Sequence, residues 1–204
     1  MKFLAINTAA AKLEVALQID NKIFVKSDSN YKKASEVAMV YVDELLTKNN
    51  LTLQDLDFCT VVVGPGSFTG VRIGVSMARI FGQFSKVPLV AINSLEVLAH
   101  NSENSNNDNI VVTVSDAANG FSYIAVYENY IELLPPTVIK TTELSNFLST
   151  IEEEHIVINE NNIDTIDGQA LCTTSLSAYN KNGATMFENI VPLYIRKSQA
   201  EENF

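Results

Sequence analysis

The chain opens with an alternation of apolar and polar positions that predicts a hairpin. FLAI (3–6) reads as a short buried strand, NTAAAK as a turn, and LEVALQI (13–19) as a strand with Leu13, Val15, Leu17 and Ile19 on one face. DNK then turns tightly into IFVK. The same layout returns half a chain later: IVVTV (110–114), a polar turn SDAANG, then FSYIAVY (121–127), which sets Asn7–Thr8 against Ser115–Asp116. HNSENSNNDN (100–109) between them is polar and of low complexity, as a linker is. The pattern predicts two echoing α/β lobes, 1–100 and 110–204, joined by a linker at 101–109.

Within the first lobe the period switches between strand and helix. ASEVAMVYVDELLTKNN (34–50) predicts a helix that starts near Ser35 and ends at Asn49–Asn50. DFCTVVV predicts a strand, TGVRIGVSMARIFGQF (69–84) a helix, PLVAI a strand, and SLEVLAH a further helix with Ser94 as its cap. The second lobe predicts a helix in TELSNFLSTIEEE, a strand in HIVIN and a helix in CTTSLSAYNKNG ending near Gly183.

Between the strand and the helix of the first lobe lies the loop Gly64, Pro65, Gly66, Ser67, Phe68, Thr69 and Gly70. Glycine-rich turns at this place often present backbone amides to phosphate. This one has no Lys-Ser/Thr after its last glycine and a G-x-G-x-x-x-G spacing, so it is neither a Walker loop nor a dinucleotide fingerprint. Pro65 and Thr69 stand where a nucleophile elbow around Ser67 needs glycines. Two readings remain at this level: a weak anion site, or a structural turn in which Gly66 and Gly70 take positive φ and Thr69 caps the helix.

The helix behind the loop carries more apolar surface than one core needs. At 100° per residue Ile73, Met77, Ile80 and Phe84 form one stripe, taken as the core face. Arg72, Ser76, Arg79 and Gln83 form a polar stripe. The remaining arc holds Val71, Gly74, Val75, Ala78 and Gly82, with bare positions every fourth residue. Helix 34–48 is similar: Ala38, Val42, Leu45 and Leu46 suffice for its core, and Val37, Val40 and Tyr41 add to it. Val37, Val40, Tyr41, Val71, Gly74, Val75, Ala78 and Gly82 are therefore predicted to form a partner or dimer interface. The alternative is that the two helices pack on each other inside the lobe.

Composition narrows the chemistry. The 204 residues are 47% hydrophobic, with no apolar run near the length of a membrane span and no signal-peptide pattern at the start. Cys59 and Cys172 sit apart in apolar contexts, as buried thiols of a reducing cytoplasm do. Residues 1–100 hold 10 Lys and Arg against 9 Asp and Glu, whereas residues 101–204 hold 4 against 15. So acidic a chain is predicted not to hold nucleic acid by itself. His100 and His155 are isolated, which argues against a zinc hydrolase, and Asn7 is a poor ligand for a hard cation.

VVVGPGSFTGVRIGVSMARIFGQFSKVPLVAINSLEVLA resembles the signature segment of the TsaB (YeaZ) family. FLAINTAA, ASEVAMVYVDELL, VSDAANGFSYIAVY and VPLYIRKSQAE extend the resemblance along the chain. It implies a two-lobed actin/Hsp70-like (ASKHA, RNase H-like) α/β fold, with duplicated βββαβα lobes and the second reduced. It also implies a cytoplasmic, non-catalytic scaffold subunit in the synthesis of threonylcarbamoyladenosine on tRNA, with no catalytic or metal-binding residue of its own. The implied partners are a TsaD-like catalytic subunit and a TsaE-like ATPase, with homodimers when alone and tRNA met only through the complex. No tightly bound cofactor is implied, though ATP or ADP has a place at an interface with a partner. Family members usually carry Asp at the position of Asn7, His at Ala34 and Arg at Ala118, and each departure removes a charged or ligand-capable side chain. On this resemblance the glycine loop shapes a turn and opens an interface helix. The competing reading is an ATP-dependent phosphotransferase or nucleotide-binding protein of the same fold.

Overall fold

In the computed structural model, which describes residues 1–10, 12–28, 34–101, 110–159 and 168–196, the predicted hairpins form the spine of two sheets. β1 (Lys2–Asn7), β2 (Leu13–Ile19) and β3 (Lys22–Asp28) are antiparallel neighbours. β4 (Phe58–Val62) and β5 (Leu89–Ile92) extend the sheet in parallel, giving the order β3-β2-β1-β4-β5. The second sheet repeats the meander with β6 (Ile110–Asp116), β7 (Phe121–Glu128) and β8 (Ile131–Lys140), and β9 (His155–Asn159) runs parallel to β6. β6–β7–β8 repeats β1–β2–β3 in order and direction, and the second sheet has four strands to the first sheet's five.

Strand register decides which helix covers which face. Lys26 pairs Val15, Val15 pairs Ile6, and Ile6 pairs Val61, so these four residues share one face. α1 (Ala34–Lys48) covers it, with Glu44 bridged to Lys26 at 2.5 Å, and α2 (Phe68–Ile80) lies beside α1 over Val61. Phe3 and Phe58 lie on the opposite face, stacked at 4.4 Å, and Tyr179 of α5 (Gly168–Asn182) stacks on Phe58 at 4.3 Å. The central strands β1 and β4 and the edge strand β5 are therefore buried almost throughout and read as nearly continuous apolar runs, whereas the edge strand β3 is largely open to solvent. The second sheet takes α3 (Ser94–Ala99) on one face through Leu95, Leu98 and Ala99. α4 (Leu144–Leu148) covers the other through Leu144, Phe147 and Leu148.

Several expectations change in this frame. α3 precedes the predicted boundary yet packs on the second sheet, and α5 follows it yet packs on the first. A cut at 100/110 in sequence therefore does not coincide with the packing. The linker lies outside the described residues apart from Asn101. The helix expected over 142–154 is a single 3₁₀ turn followed by the short α4. α5 starts four residues earlier than expected and ends where expected, just before Gly183, which is left-handed at φ 70°. α1 begins at Ala34, beside Ser35 as expected. Asn93, and not Ser94, caps α3 by accepting the Glu96 amide at 2.7 Å. No described helix is long and apolar enough to cross a membrane.

Candidate functional site

The glycine loop sits at the carboxyl end of β4, beside the turn that follows β1. Its backbone is engaged from within. The Ser67 amide donates to the Ala9 carbonyl at 2.8 Å, the Gly70 amide to Ser67 Oγ at 3.2 Å, and the Val71 amide to the Ser67 carbonyl at 2.8 Å. Thr8 Oγ1 donates to the Gly70 carbonyl at 2.7 Å, and Ser94 Oγ to the Pro65 carbonyl at 2.5 Å. Ser67, and not Thr69, is thus the N-cap of α2. Gly64 and Gly66 take the positive φ values of 108° and 153°, and the Gly64–Pro65 peptide is cis. Gly70 is helical, and its bareness serves another end: a Cβ there would strike the Thr8 carbonyl. The loop is a packing joint between two turns, and the amides of Ser67, Gly70 and Val71 already have acceptors.

The two repeated turns are built alike. Asn7 Oδ1 accepts the Ala9 amide at 3.1 Å, and Asp116 Oδ1 accepts the Ala118 amide at 2.9 Å. Each side chain closes its own turn two residues on. Asn7 is fully buried in register with the buried Glu14, and its Nδ2 has no hydrogen-bond partner among the described residues. An amide at position 7 keeps a second negative charge away from Glu14 in this dry pair. The side chain of Ala34 lies outside the described residues, and Ala118 is left-handed at φ 58° with its side chain exposed.

The helix faces are the reverse of the sequence expectation on α2. Val71, Gly74, Val75 and Ala78 point into the lobe, Ala78 at 0% exposure. Gly74 rests against Thr8 and Val61, and Gly82 against Leu89 and Phe187. The small-residue row therefore lets α2 approach its own sheet and leaves no bare face for a second molecule. The stripe taken as core is the outer one: Ile73 and Met77 are half-buried, Ile80 is 53% exposed and Phe84 73%. On α1, Ala38, Val42, Leu45 and Leu46 are buried as expected, and Val37 and Tyr41 are half-buried against the core. Val40 remains open, joined by Met39, which the sequence reading did not include. Of the eight predicted interface residues, only Val40 is largely exposed.

Arg72, Arg79 and Lys86 lie along the same outer surface of α2 and its end, and no acidic residue occurs between Asp57 and Glu96. Beyond Ile80 the helix widens into a π turn, Phe81–Ser85, which carries Phe84 outward. A shallow pocket lined by Gly82, Lys86, Val87, Pro88, Thr185, Met186 and Phe187 continues from there, with Met186 open to solvent. The arrangement is an apolar strip with a basic margin on an otherwise acidic chain, a surface suited to protein contact.

Comparison with known proteins places this geometry in a lineage. The sequence model of the family described as TsaD, tRNA N6-adenosine threonylcarbamoyltransferase, matches residues 28–172. The tRNA threonylcarbamoyladenosine biosynthesis protein TsaB of Bacillus subtilis is 33% identical over 156 residues, covering 76% of this chain and 67% of that protein. TsaB of Escherichia coli is 30% identical over 128 residues, covering 63% of this chain and 55% of that protein. The solved structure of YeaZ from Pseudomonas aeruginosa superposes with a TM-score of 0.76 at 17% identity, over 95% of this chain and 99% of that one. A second Pseudomonas aeruginosa structure, described as similar to peptidase YeaZ, gives 0.78 at 17% identity over 96% and 99%. The duplicated meander, the packed glycine loop and the sequence match together make this chain a member of the TsaB (YeaZ) family.

Proposed function

We propose that the protein is a non-catalytic partner subunit in the synthesis of threonylcarbamoyladenosine on tRNA. The observation that carries this reading is the outer face of α1 and α2, where Met39, Val40, Ile80 and Phe84 leave an apolar surface uncovered. A TsaD-like catalytic subunit is the occupant, with a TsaE-like ATPase joining the assembled pair and tRNA reached through the complex. In the absence of that subunit a second copy takes the face. The acidic Glu36 and Asp43 on α1 complement Arg72, Arg79 and Lys86 on α2, so a two-fold pairing of the helices is favourable in charge as well as shape. A packed glycine loop suits a scaffold better than a phosphate-handling enzyme, and any ATP or ADP belongs at the interface with a partner.

Co-purification from its own cell tests the reading. The wild-type chain should bring down a TsaD-like protein, and Ile80→Asp with Phe84→Asp should lose it while staying folded. Retention of the partner by that double variant would move the contact elsewhere. Steady phosphate release from ATP by the purified chain, abolished by Asp116→Ala, would instead support the phosphotransferase.

A further inference from the structure

The end of the described chain crosses from one lobe to the other. Ile190 is fully buried against the first sheet, and from there the backbone runs outward. The Leu193 amide donates to the Val63 carbonyl at 2.8 Å, and the Leu193 carbonyl lies over Gly64. Tyr194 OH accepts from Arg72 Nε at 2.8 Å, and its ring lies 5.4 Å from Phe68, on which the Arg72 guanidinium stacks at 3.8 Å. Two residues on, Arg196 Nη1 donates to the carbonyls of Ala117 and Ala118, each at 3.1 Å. The Arg196 guanidinium also covers the Phe121 ring at 4.2 Å.

Both anchor points stand at the carboxyl ends of strands, β4 in the first sheet and β6 in the second. That is where open α/β sheets keep their ligands. We propose that Ile190–Arg196 is a latch across the cleft between the lobes, tying the glycine loop and α2 to the β6–β7 turn and fixing how far the lobes can part. Leu193 and Arg196 are three positions apart, and an extended chain covers at most about 3.5 Å per residue, so the latch limits the opening to roughly 10 Å of backbone plus the reach of the Arg196 side chain. Its hold is reversible by construction. Val191, Leu193 and Tyr194 are exposed, and apart from Ile190 the segment is attached by hydrogen bonds and ring contacts, the kind of local structure that opens below the global unfolding energy. α3, packed on the second sheet and on α5, is another link between the lobes among the described residues and remains when the latch is open.

The test needs the isolated chain only, so its outcome is separate from any question of partners. Spin labels at Lys22→Cys and Glu152→Cys, both exposed, report the lobe separation. The native Cys59 and Cys172 are buried, and burial pushes the Cys59 thiol up to about 12, so neither competes for label. The wild type should give one narrow distance. Arg196→Ala and Tyr194→Ala should each broaden it toward longer values, and Arg196→Ala should speed exchange of the Leu193 amide about tenfold, as loss of a charged donor allows. Arg196→Lys should fall between wild type and Ala, because an ammonium can donate to both carbonyls as Nη1 does but has no planar face to lay on the Phe121 ring. A wild-type distance in either alanine variant overturns the latch. Should Tyr194→Ala fail to fold, the two Arg196 variants decide alone.

Discussion

Gly70 shows how a single missing methyl places the loop. Its Cα faces the Thr8 carbonyl so closely that any Cβ must displace backbone on one side or the other. Gly70→Ala should therefore lose about 1–3 kcal/mol in urea denaturation, the range for forced overpacking. Gly183→Ala, with open space around it but a φ of +70°, should lose about 1–2 kcal/mol, the cost of a Cβ in the left-handed region. Glu96 makes the converse case, in electrostatics. Burial, and next the charge of Glu132, push its carboxyl above the ordinary 4.5, against the pull of Lys181 and of the backbone amide of the cap residue Asn93. A raised folded pKa means the folded state binds the proton more tightly, so its contribution is intact below 4.5 and falls as pH rises toward the folded value. Glu96→Gln should thus melt a few degrees higher than wild type at pH 7 and match it near pH 4. Thermal melts at the two pH values check this, and a wild type that is the more stable at pH 7 would show the helix-start amide to dominate.

At the scale of elements the alternating strands were readable, because period two with small turns leaves little choice of register. β8 was not, since Pro135 and Pro136 argue against a strand, and only an edge position lets them in. α2 was readable as a helix and misread as to face. Ranking faces by bulk assumes the largest side chains go inside, but a helix that must lie tight on Thr8 and Val61 buries its smallest ones instead. The excess of apolar surface was real, and it lies on the other side. Ala78, fully buried, now serves as a probe of the fold. Ala78→Trp should unfold the lobe or lower its stability by about 1–3 kcal/mol or more, whereas at an interface position the same change would leave the monomer folded. Ile80→Asp should keep the wild-type melting temperature and shift the protein to monomer in analytical ultracentrifugation. If the variant stays dimeric, the copies meet away from α2.

Across the whole molecule, the exchange of helices between lobes was invisible in sequence because nothing in the local period says which sheet a helix will cover. α3 and α5 each cover the sheet that lies across the predicted boundary, so cutting the chain at 101–109 would strip an apolar face from both halves. Charge, in contrast, reads directly. The formal net charge is −10, and residues 58–95, the longest run without a carboxylate side chain, hold three cations, Arg72, Arg79 and Lys86. Those three cations border the apolar face proposed for a protein partner, so they are few and partly committed. A tRNA held by these three cations would show a log–log salt slope no steeper than about −3, and repulsion from the acidic remainder weakens binding further. Filter binding of tRNA by the isolated protein should therefore be weak even at low salt, with a shallow slope. Tight binding with a slope steeper than about −5 would require more cations than this surface offers. It would place a tRNA site on the lone subunit.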